Sequence, residues 1–166
     1  MELLYTGDKQ LLEKSIEVTQ SDLTDDFNND IVNLTNVMYL HDGLAIAAPQ
    51  AGMQKRLFVI RNSSNPSIII NPEIVSFSKE TILSREGCLS FPGLYLTIRR
   101  PETIIYKARN LEWQEQEGEL SGEDAVMFQH ELDHLNGILF VDKVSEFKLK
   151  RAKKALQKKI TKNSKV

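Results

Sequence analysis

Two histidines with helical spacing constrain this chain more than any other feature. The segment FQHELDH places His130 and His134 four residues apart, with Glu131 directly after the first. Four residues make about 1.1 turns of an α-helix, so both imidazoles project from one face and can bind one metal ion. A carboxylate beside that face can take a proton from water whose pKa the metal has lowered toward ~7. The sequence therefore predicts a helix whose polar face is turned toward a metal site.

Helix signals surround this histidine pair. Ser121 is a favourable N-cap and Gly137 a favourable C-terminal stop, so we expect a helix over residues 121–137. Val126 and Met127 lie one turn before the first histidine, and side chains at this spacing share a face of a helix. The face that carries the two imidazoles is therefore apolar one turn earlier.

A catalytic metal site needs a third protein ligand. A metzincin-type protease would have a histidine where this chain has Phe140, and Glu146 is the only glutamate after the histidine pair. The better candidate is Cys88, in a loop bracketed by Gly87 and Gly93, because thiolate binds zinc or ferrous iron strongly. Two histidines and one cysteine leave a fourth position open for water. The alternative for a lone cysteine is a small buried hydrophobic residue.

The segment GLAIAAPQAG (43–52) is built from small residues between two glycines. Such a segment can present its backbone to an extended peptide, which would add to it as a strand. The amide of Gln50 and the backbone N–H of Leu89 are candidate donors to an oxyanion that forms beside the metal. The alternative is a tight turn packed against the first helix.

The order of helices and strands predicts an α+β fold. We expect mixed or antiparallel sheets around the central histidine helix, with an N-terminal helix and a basic C-terminal helix. The expected helices are 24–41, 121–137 and 145–160, and the expected strands are 55–61, 67–72, 94–99, 102–110 and 111–116. With 166 residues we expect one catalytic domain over 1–147, and 148–166 as a basic helix or tail of that domain.

Charge is distributed unevenly along the chain. Nine Lys and Arg residues and no Asp or Glu lie in residues 148–166, which leaves 12 basic and 23 acidic residues before them. A basic tail on an acidic body is typical of contact with a nucleic acid or another polyanion. The sequence has no apolar run of membrane-spanning length, no signal peptide is recognisable, and its single cysteine excludes an internal disulfide. We therefore expect a cytoplasmic protein.

Three segments of the chain resemble the peptide deformylases. The family pattern G-x-G-x-A-A-x-Q, then E-G-C-L-S, then Q-H-E-x-D-H-L-x-G is matched by GLAIAAPQ (43–50), EGCLS (86–90) and QHELDHLNG (129–137). Their order and spacing match, and the resemblance covers nearly the whole chain. It implies hydrolytic removal of the N-formyl group from the formyl-methionine of newly made polypeptides, with release of formate.

The resemblance also implies a role for each matching residue. Cys88, His130 and His134 would bind the metal, which in this family is ferrous iron and is replaceable by nickel, cobalt or zinc. Glu131 would act as general base and acid, and Gln50 and the Leu89 N–H would hold the oxyanion. The residues expected to line the substrate site are Gly43, Leu44, Ala45, Gly87, Tyr95, Val126 and Met127.

The sequence departs from the family pattern at three places. Ala45 stands where the family has its second glycine, which would reduce activity if the position needs positive φ and is harmless in an extended strand. Tyr95 stands where many bacterial members have a substrate-side arginine, and YTGDKQLL replaces a proline-containing entry segment. These departures indicate a divergent member of the bacterial type, from a bacterium or a phage.

Several alternatives remain open on the sequence alone. The chain could be an H-E-x-x-H peptidase, or a non-catalytic metal protein or ribosome-binding protein; Glu131 argues against the latter, since a structural site needs no general base. Glu86 either orients a metal ligand or is a surface charge, and Asp133 either pairs with Arg100 or is solvated. The resemblance implies that the basic helix, 148–159, docks at the ribosome; the alternative is a solvated lysine face.

Overall fold

Seven antiparallel strands and three α-helices form the structure, a computed structural model that describes residues 1–163. The strands are β1 (Ala45–Ala47), β2 (Leu57–Ile60), β3 (Ser67–Phe77), β4 (Thr81–Cys88), β5 (Phe91–Pro101), β6 (Thr103–Arg109) and β7 (Glu115–Ser121). The helices are α1 (Asp25–Leu40), α2 (Gly122–Leu135) and α3 (Glu146–Asn163). Short 3₁₀ turns lie at Lys9–Leu12, Gln20–Asp22, Ala48–Ala51 and Phe140–Lys143. The α+β prediction, with antiparallel sheets and three helices in the expected places, is confirmed.

Two sheets are formed by the part of the chain that the structure describes. One has five strands in the order β1-β2-β3-β6-β7, and the other is the β4–β5 hairpin. In the hairpin, Gly87 pairs with Tyr95 but the next residue, Cys88, pairs with Phe91, so the register shifts between Gly87 and Cys88. Since β1 is the outermost strand of its sheet, one of its edges has no neighbouring strand within that sheet.

The alternation of side chains in β2 explains how the helices are placed. Leu57 and Val59 belong to a core cluster with five buried residues of α1, whereas Phe58 between them belongs to a second cluster with α2. Successive side chains of a strand point to opposite faces, so β2 is covered by α1 on one face and by α2 on the other. The rings of Phe58 and Phe128 meet edge to face with their centroids 5.2 Å apart, a favourable geometry.

A third cluster joins the hairpin to the C-terminal helix. Leu94, Leu96 and Ile98 of β5 pack with Phe140, and the half-buried stripe of α3 packs against them. The members of this stripe are Leu149, Ala152 and Leu156. The half of α3 nearer its start is therefore docked on the body, and the charged side chains between the stripe residues are exposed. Residues 164–166 of the predicted basic tail lie outside the described residues.

The helix ends differ in detail from the sequence expectations. Thr24 caps α1, its hydroxyl oxygen accepting from the Phe27 N–H at 3.3 Å. Ser121 precedes α2 as predicted, but its side chain makes no capping hydrogen bond. Gly137 follows α2 with φ of 69°, and a Cβ there would lie 2.5 Å from the carbonyl oxygen of Leu12. This position accepts only glycine, both for its backbone conformation and for its close contact.

Two strand predictions need correction. The strand expected over 111–116 is β7, which begins only at Glu115; a turn precedes it, in which Trp113 has φ of 61° and Asn110 accepts from the Gln114 N–H at 2.8 Å. The strand β4 was not predicted, because apolar and polar residues do not alternate in TILSREGC as they do in a half-buried strand. Within residues 1–163, no helix combines the length and the apolar character that a membrane crossing needs.

Candidate active site

The three predicted metal ligands converge although 42 residues separate the cysteine from the first histidine. Cys88 ends β4, while His130 and His134 lie on α2. Taking one ligand atom from each residue, all three atoms lie within 4.8 Å of one another, and Cys88 Sγ is 3.2 Å from His134 Nε2. Soft sulfur and imidazole nitrogen suit zinc or ferrous iron. The donor set, its spacing and its burial therefore fit a divalent metal ion.

A chain of buried ion pairs holds the first histidine in position. Glu86 Oε2 accepts a hydrogen bond from His130 Nδ1 at 2.8 Å, which leaves Nε2 for a metal. Arg100 donates to both oxygens of the same carboxylate, from Nε at 2.8 Å and from Nη2 at 2.9 Å. Its Nη1 donates to Asp133 at 2.6 Å, and Asp133 also meets Lys143 at 2.9 Å. The alternatives of a surface Glu86 and a solvated Asp133 are thus wrong.

The charges of this chain favour a cation at the ligand cluster. Burial alone would raise the pKa of Glu86, but its hydrogen bonds from Arg100 and His130 outweigh burial and lower the pKa to about 2. Burial would lower the pKa of His130, but its hydrogen bonds with Cys88 and Glu86 raise it to about 10. The environment thus stabilises positive charge there. Burial and neighbouring positive charge lower the pKa of His134 well below its ordinary value, so this imidazole is neutral, whereas a bound metal ion would displace the proton of His130.

Glu131 is a buried carboxyl with an unused oxygen. It is 5% exposed, and its Oε2 has no hydrogen-bond partner within residues 1–163. Burial raises its pKa to about 7, against the opposing effect of the positive charge of His130. A carboxyl with such a pKa exchanges protons readily at neutral pH. Unlike His130, His134 has no second partner, because its Nδ1 is also buried without one among the described residues.

The side chain of Gln50 is held by contacts at both ends. Its Oε1 accepts from the Ala47 N–H at 2.9 Å. Its Nε2 donates to Ser90 Oγ at 3.1 Å and to Cys88 Sγ at 3.4 Å. The amide donor is therefore fixed beside the metal ligands. Sequence reasoning did not assign a role to Ser90, although it belongs to the EGCLS segment, where a buried hydroxyl next to the cysteine was a usable signal.

A groove of about 770 Å³ opens above Cys88, His130 and Glu131. All seven residues that the sequence analysis expected at the substrate site line it: Gly43, Leu44, Ala45, Gly87, Tyr95, Val126 and Met127. Leu89 lines it as well. The backbone N–H of Arg61 donates to the carbonyl of Leu44 at 2.8 Å. In an antiparallel pair the next residue, Ala45, then points its N–H and C=O away from β2, toward the open edge of the sheet.

Comparison with known proteins decides the family. Residues 1–150 match the sequence model of the family described as polypeptide deformylase. The chain belongs to the peptide deformylase family. The peptide deformylase of Thermotoga sp. (strain RQ2) is 41% identical over 142 residues, which cover 86% of this chain and 85% of that relative. Similar crystal structures include a peptide deformylase from Synechococcus elongatus in complex with actinonin, with a TM-score of 0.84, 37% identity and coverage of 90% and 82%. Another, from Legionella pneumophila, has a TM-score of 0.86, 34% identity and coverage of 99% and 97%.

Membership makes this protein a metal-dependent hydrolase with peptide deformylase function. The alternatives of an H-E-x-x-H peptidase and of a non-catalytic metal protein are therefore set aside. The segment 43–50 also forms a strand and a 3₁₀ turn that border the groove, rather than only a turn packed on the first helix.

Two departures of this peptide deformylase from the family pattern are now placed in the structure. Ala45 lies in β1 and has no positive φ, so the interpretation that alanine strains this position is wrong. Tyr95 is 53% exposed on the groove wall and lies opposite Gly87 in the hairpin register. A Cβ on Gly87 would meet Cε1 of the Tyr95 ring at 2.7 Å. Here glycine serves close packing of an aromatic ring.

Proposed function

We propose that this peptide deformylase removes the N-formyl group from the N-terminal formyl-methionine of newly made polypeptides and releases formate. One observation carries the proposal. Glu131 is a buried carboxyl with a free oxygen and a pKa of about 7, and it lies beside a Cys–His–His cluster in a groove with an open strand edge. A base, a metal site and a peptide-binding edge are what hydrolysis of a terminal amide requires.

The proposed metal is one ferrous ion, held by Cys88, His130 and His134. Zinc, nickel or cobalt would fit the same donors. When bound, the metal supplies a Lewis acid that polarises the formyl oxygen and lowers the pKa of water toward ~7. The chain contributes the orientation of the donors, since Glu86 fixes His130 through a 2.8 Å hydrogen bond.

The peptide is proposed to lie along β1 as an added strand. The N–H and C=O of Ala45 offer the hydrogen bonds, and Gly43 and Gly87 lie in the lining of the same groove. Val126 and Met127 line the groove one turn before His130, where they would contact the methionine side chain. Leu44, which is 72% exposed, and Tyr95 would border the residues that follow.

The chemical step is assigned to Glu131, Gln50 and Leu89. Water attacks the formyl carbon while Glu131 takes its proton. The negative charge on the formyl oxygen is stabilised by the Gln50 amide and the Leu89 N–H. Glu131 then gives the proton to the amine nitrogen as the C–N bond breaks, so formate and a free N-terminus leave. An internal peptide bond carries a bulky chain where formyl carries hydrogen, and shape would exclude it.

The test measures metal content and formate release after anaerobic purification. Formyl-Met-Ala-Ser should release formate, whereas an unblocked peptide of the same sequence should stay uncleaved. Glu131→Ala should lower kcat about 10²- to 10⁴-fold with the metal retained, while Glu119→Ala on the exposed face of β7 should match the wild type. Full activity of Glu131→Ala would overturn the assignment. Metal bound at full affinity by Cys88→Ala would remove the cysteine from the ligand set.

We also propose that the protein works in the cytoplasm, with residues 1–147 as catalytic domain and 148–166 as a basic extension that docks on ribosomal RNA. Support comes from α3, whose docked stripe leaves its lysines exposed. Changing Lys153, Lys154 and Lys158 to Gln should weaken ribosome binding and flatten its dependence on salt. The same number of changes at the exposed Lys9, Lys14 and Lys79 is the control. Equal binding by both variants, insensitive to salt, would contradict docking.

A further inference from the structure

The β4–β5 hairpin forms one wall of the groove, and its Arg85 is stacked on an aromatic ring. The guanidinium carbon of Arg85 lies 4.4 Å from the centroid of the Tyr95 ring. Both residues are exposed, and both line the groove. A guanidinium stacked on an aromatic ring is held in place without losing its hydrogen-bonding edges, because the stack uses only its flat face. Arg85 therefore presents oriented donors to the groove.

The stack is built into the hairpin by its register. Gly87 pairs with Tyr95, so the ring lies over the one position of β4 that has no side chain. Arg85 lies two residues before Gly87 and therefore on the same face of β4. Any side chain at position 87 would collide with the ring, since even a Cβ would lie 2.7 Å from it. The missing side chain at Gly87 thus makes room for the Tyr95 ring, on which Arg85 stacks.

Arg85 makes no hydrogen bond or ion pair with any residue in 1–163. By contrast, Arg56, Arg61, Arg99, Arg100 and Arg109 each donate to an oxygen of the protein. Carboxylates do line the same groove, at Glu123 and Asp124 in the first turn of α2, yet neither reaches Arg85. The guanidinium is therefore an open site for a carboxylate that enters the groove from outside the chain.

We infer that Arg85, positioned by Tyr95, binds an acidic side chain at the second or third residue of the formylated substrate. The inference rests on the proposed function, because it assigns sequence preference to the same groove. Arg85 lies three residues before Cys88 on β4. An extended chain rises about 3.3 Å per residue, so the Arg85 backbone lies about 10 Å along β4 from that of Cys88, the length of about three extended substrate residues.

The test compares kcat/KM for C-terminally amidated peptides that differ only in charge. The pairs are formyl-Met-Glu-Ala-Ser against formyl-Met-Gln-Ala-Ser, and formyl-Met-Ala-Glu-Ser against formyl-Met-Ala-Gln-Ser. The wild type should prefer the glutamate peptide of at least one pair by about 1.5- to fivefold at low salt, the range of an exposed ion pair. The preference should shrink at high salt. A further arm, formyl-Met-Ala-Gln with a free carboxylate, distinguishes an acidic side chain from a chain terminus.

Variants of the hairpin test which residues cause the preference for the glutamate peptide. Arg85→Gln should bring the glutamate-to-glutamine ratio to about 1, and Arg99→Gln, on the same hairpin but outside the groove, should keep the wild-type ratio. Tyr95→Phe should preserve the ratio because the ring remains, while Tyr95→Leu should lower it. An equal ratio in the wild type and Arg85→Gln would overturn the inference, and an unchanged ratio in Tyr95→Leu would remove the positioning role. Absence of formate release from every peptide would instead refute the proposed function.

Discussion

The helices α2 and α3 differ in charge and in what their polar faces contact. In α2, the polar residues Gln129, His130, Glu131 and His134 are buried. In α3, the lysines and Arg151 are exposed, and its ion pair between Lys150 and Glu146 is almost fully solvated. Because these groups of α2 are buried, a change at one of them removes a specific contact, such as the 2.8 Å hydrogen bond between His130 and Glu86. The solvated charges of α3 act mainly as a sum, so single residues there matter little.

Metal removal should have the largest effect, and it falls on the two histidines of α2 and on Cys88 of β4, not on α3. We expect incubation with a chelator to abolish formate release, because His130 and His134 would lose the ion that they bind. Adding ferrous iron or nickel under anaerobic conditions should restore the activity. Thermal unfolding should shift downward with the metal removed, since an ion bound only by the folded state stabilises it. Ribosome binding through α3 should stay unchanged. If the chelator removed formate release and ribosome binding together, the two helices would not act independently.

Substitution of Arg100 tests how much the buried ion pairs beside α2 contribute to the free energy of unfolding. Arg100→Met should lower the free energy of unfolding by about 3–5 kcal/mol, because it leaves the carboxylate of Glu86 buried without its main partner. The matched change on α3, Lys150→Met, should cost less than about 0.5 kcal/mol. Urea unfolding of both variants checks the difference. Similar changes in the free energy of unfolding for the two variants would show that the buried ion pairs stabilise the fold no more than a solvated one.

Acid should weaken the same buried chain. The pKa of Glu86 is lowered to about 2 in the folded protein, below the ordinary value near 4.5, so the unfolded state takes up the proton first as pH falls. Its contribution to stability is complete above about pH 5 and is lost between pH 4.5 and 2. Glu86→Gln should therefore flatten the dependence of stability on pH in this window. An unchanged slope in urea unfolding at pH 5 and pH 3 would contradict the shift.

The smallest expected effect concerns the docking of α3. Leu156→Ala should reduce the free energy of unfolding by about 1 kcal/mol, because this half-buried side chain packs on Gly93 of the hairpin. Gln157→Ala, on the exposed side of the helix, should change it by less than about 0.5 kcal/mol. Circular dichroism during thermal unfolding measures both. Equal values would mean that α3 is not held by its apolar stripe.

Local spacing explains which parts of the site could be predicted. His130 and His134 are four residues apart on a helix that its own caps and periodicity define, so their shared face follows from sequence alone. Cys88 and Gln50 were found as residue types suited to the chemistry. Their convergence on α2 depends on packing between distant segments, which periodicity does not describe.

Long-range contacts account for what the sequence did not reveal. The pairing of Arg100 with Glu86 crosses the hairpin. The contact of Arg100 with Asp133, which the sequence left as one of two alternatives, joins a strand to a helix. The stack of Arg85 on Tyr95 depends on a strand, β4, whose sequence lacks the alternation of apolar and polar residues by which a strand is predicted. These contacts depend on register, and register is fixed by turns and by core packing along the whole chain.

The short length of β1 has a consequence for solubility. An open sheet edge invites other chains to pair with it, and long apolar edges are sites of aggregation. This edge has three residues, Ala45–Ala47, and turns away at once into a 3₁₀ segment that contains Pro49. A proline has no N–H to extend a ladder. The edge is therefore long enough to hold the first residues of one peptide and too short to seed a growing intermolecular sheet.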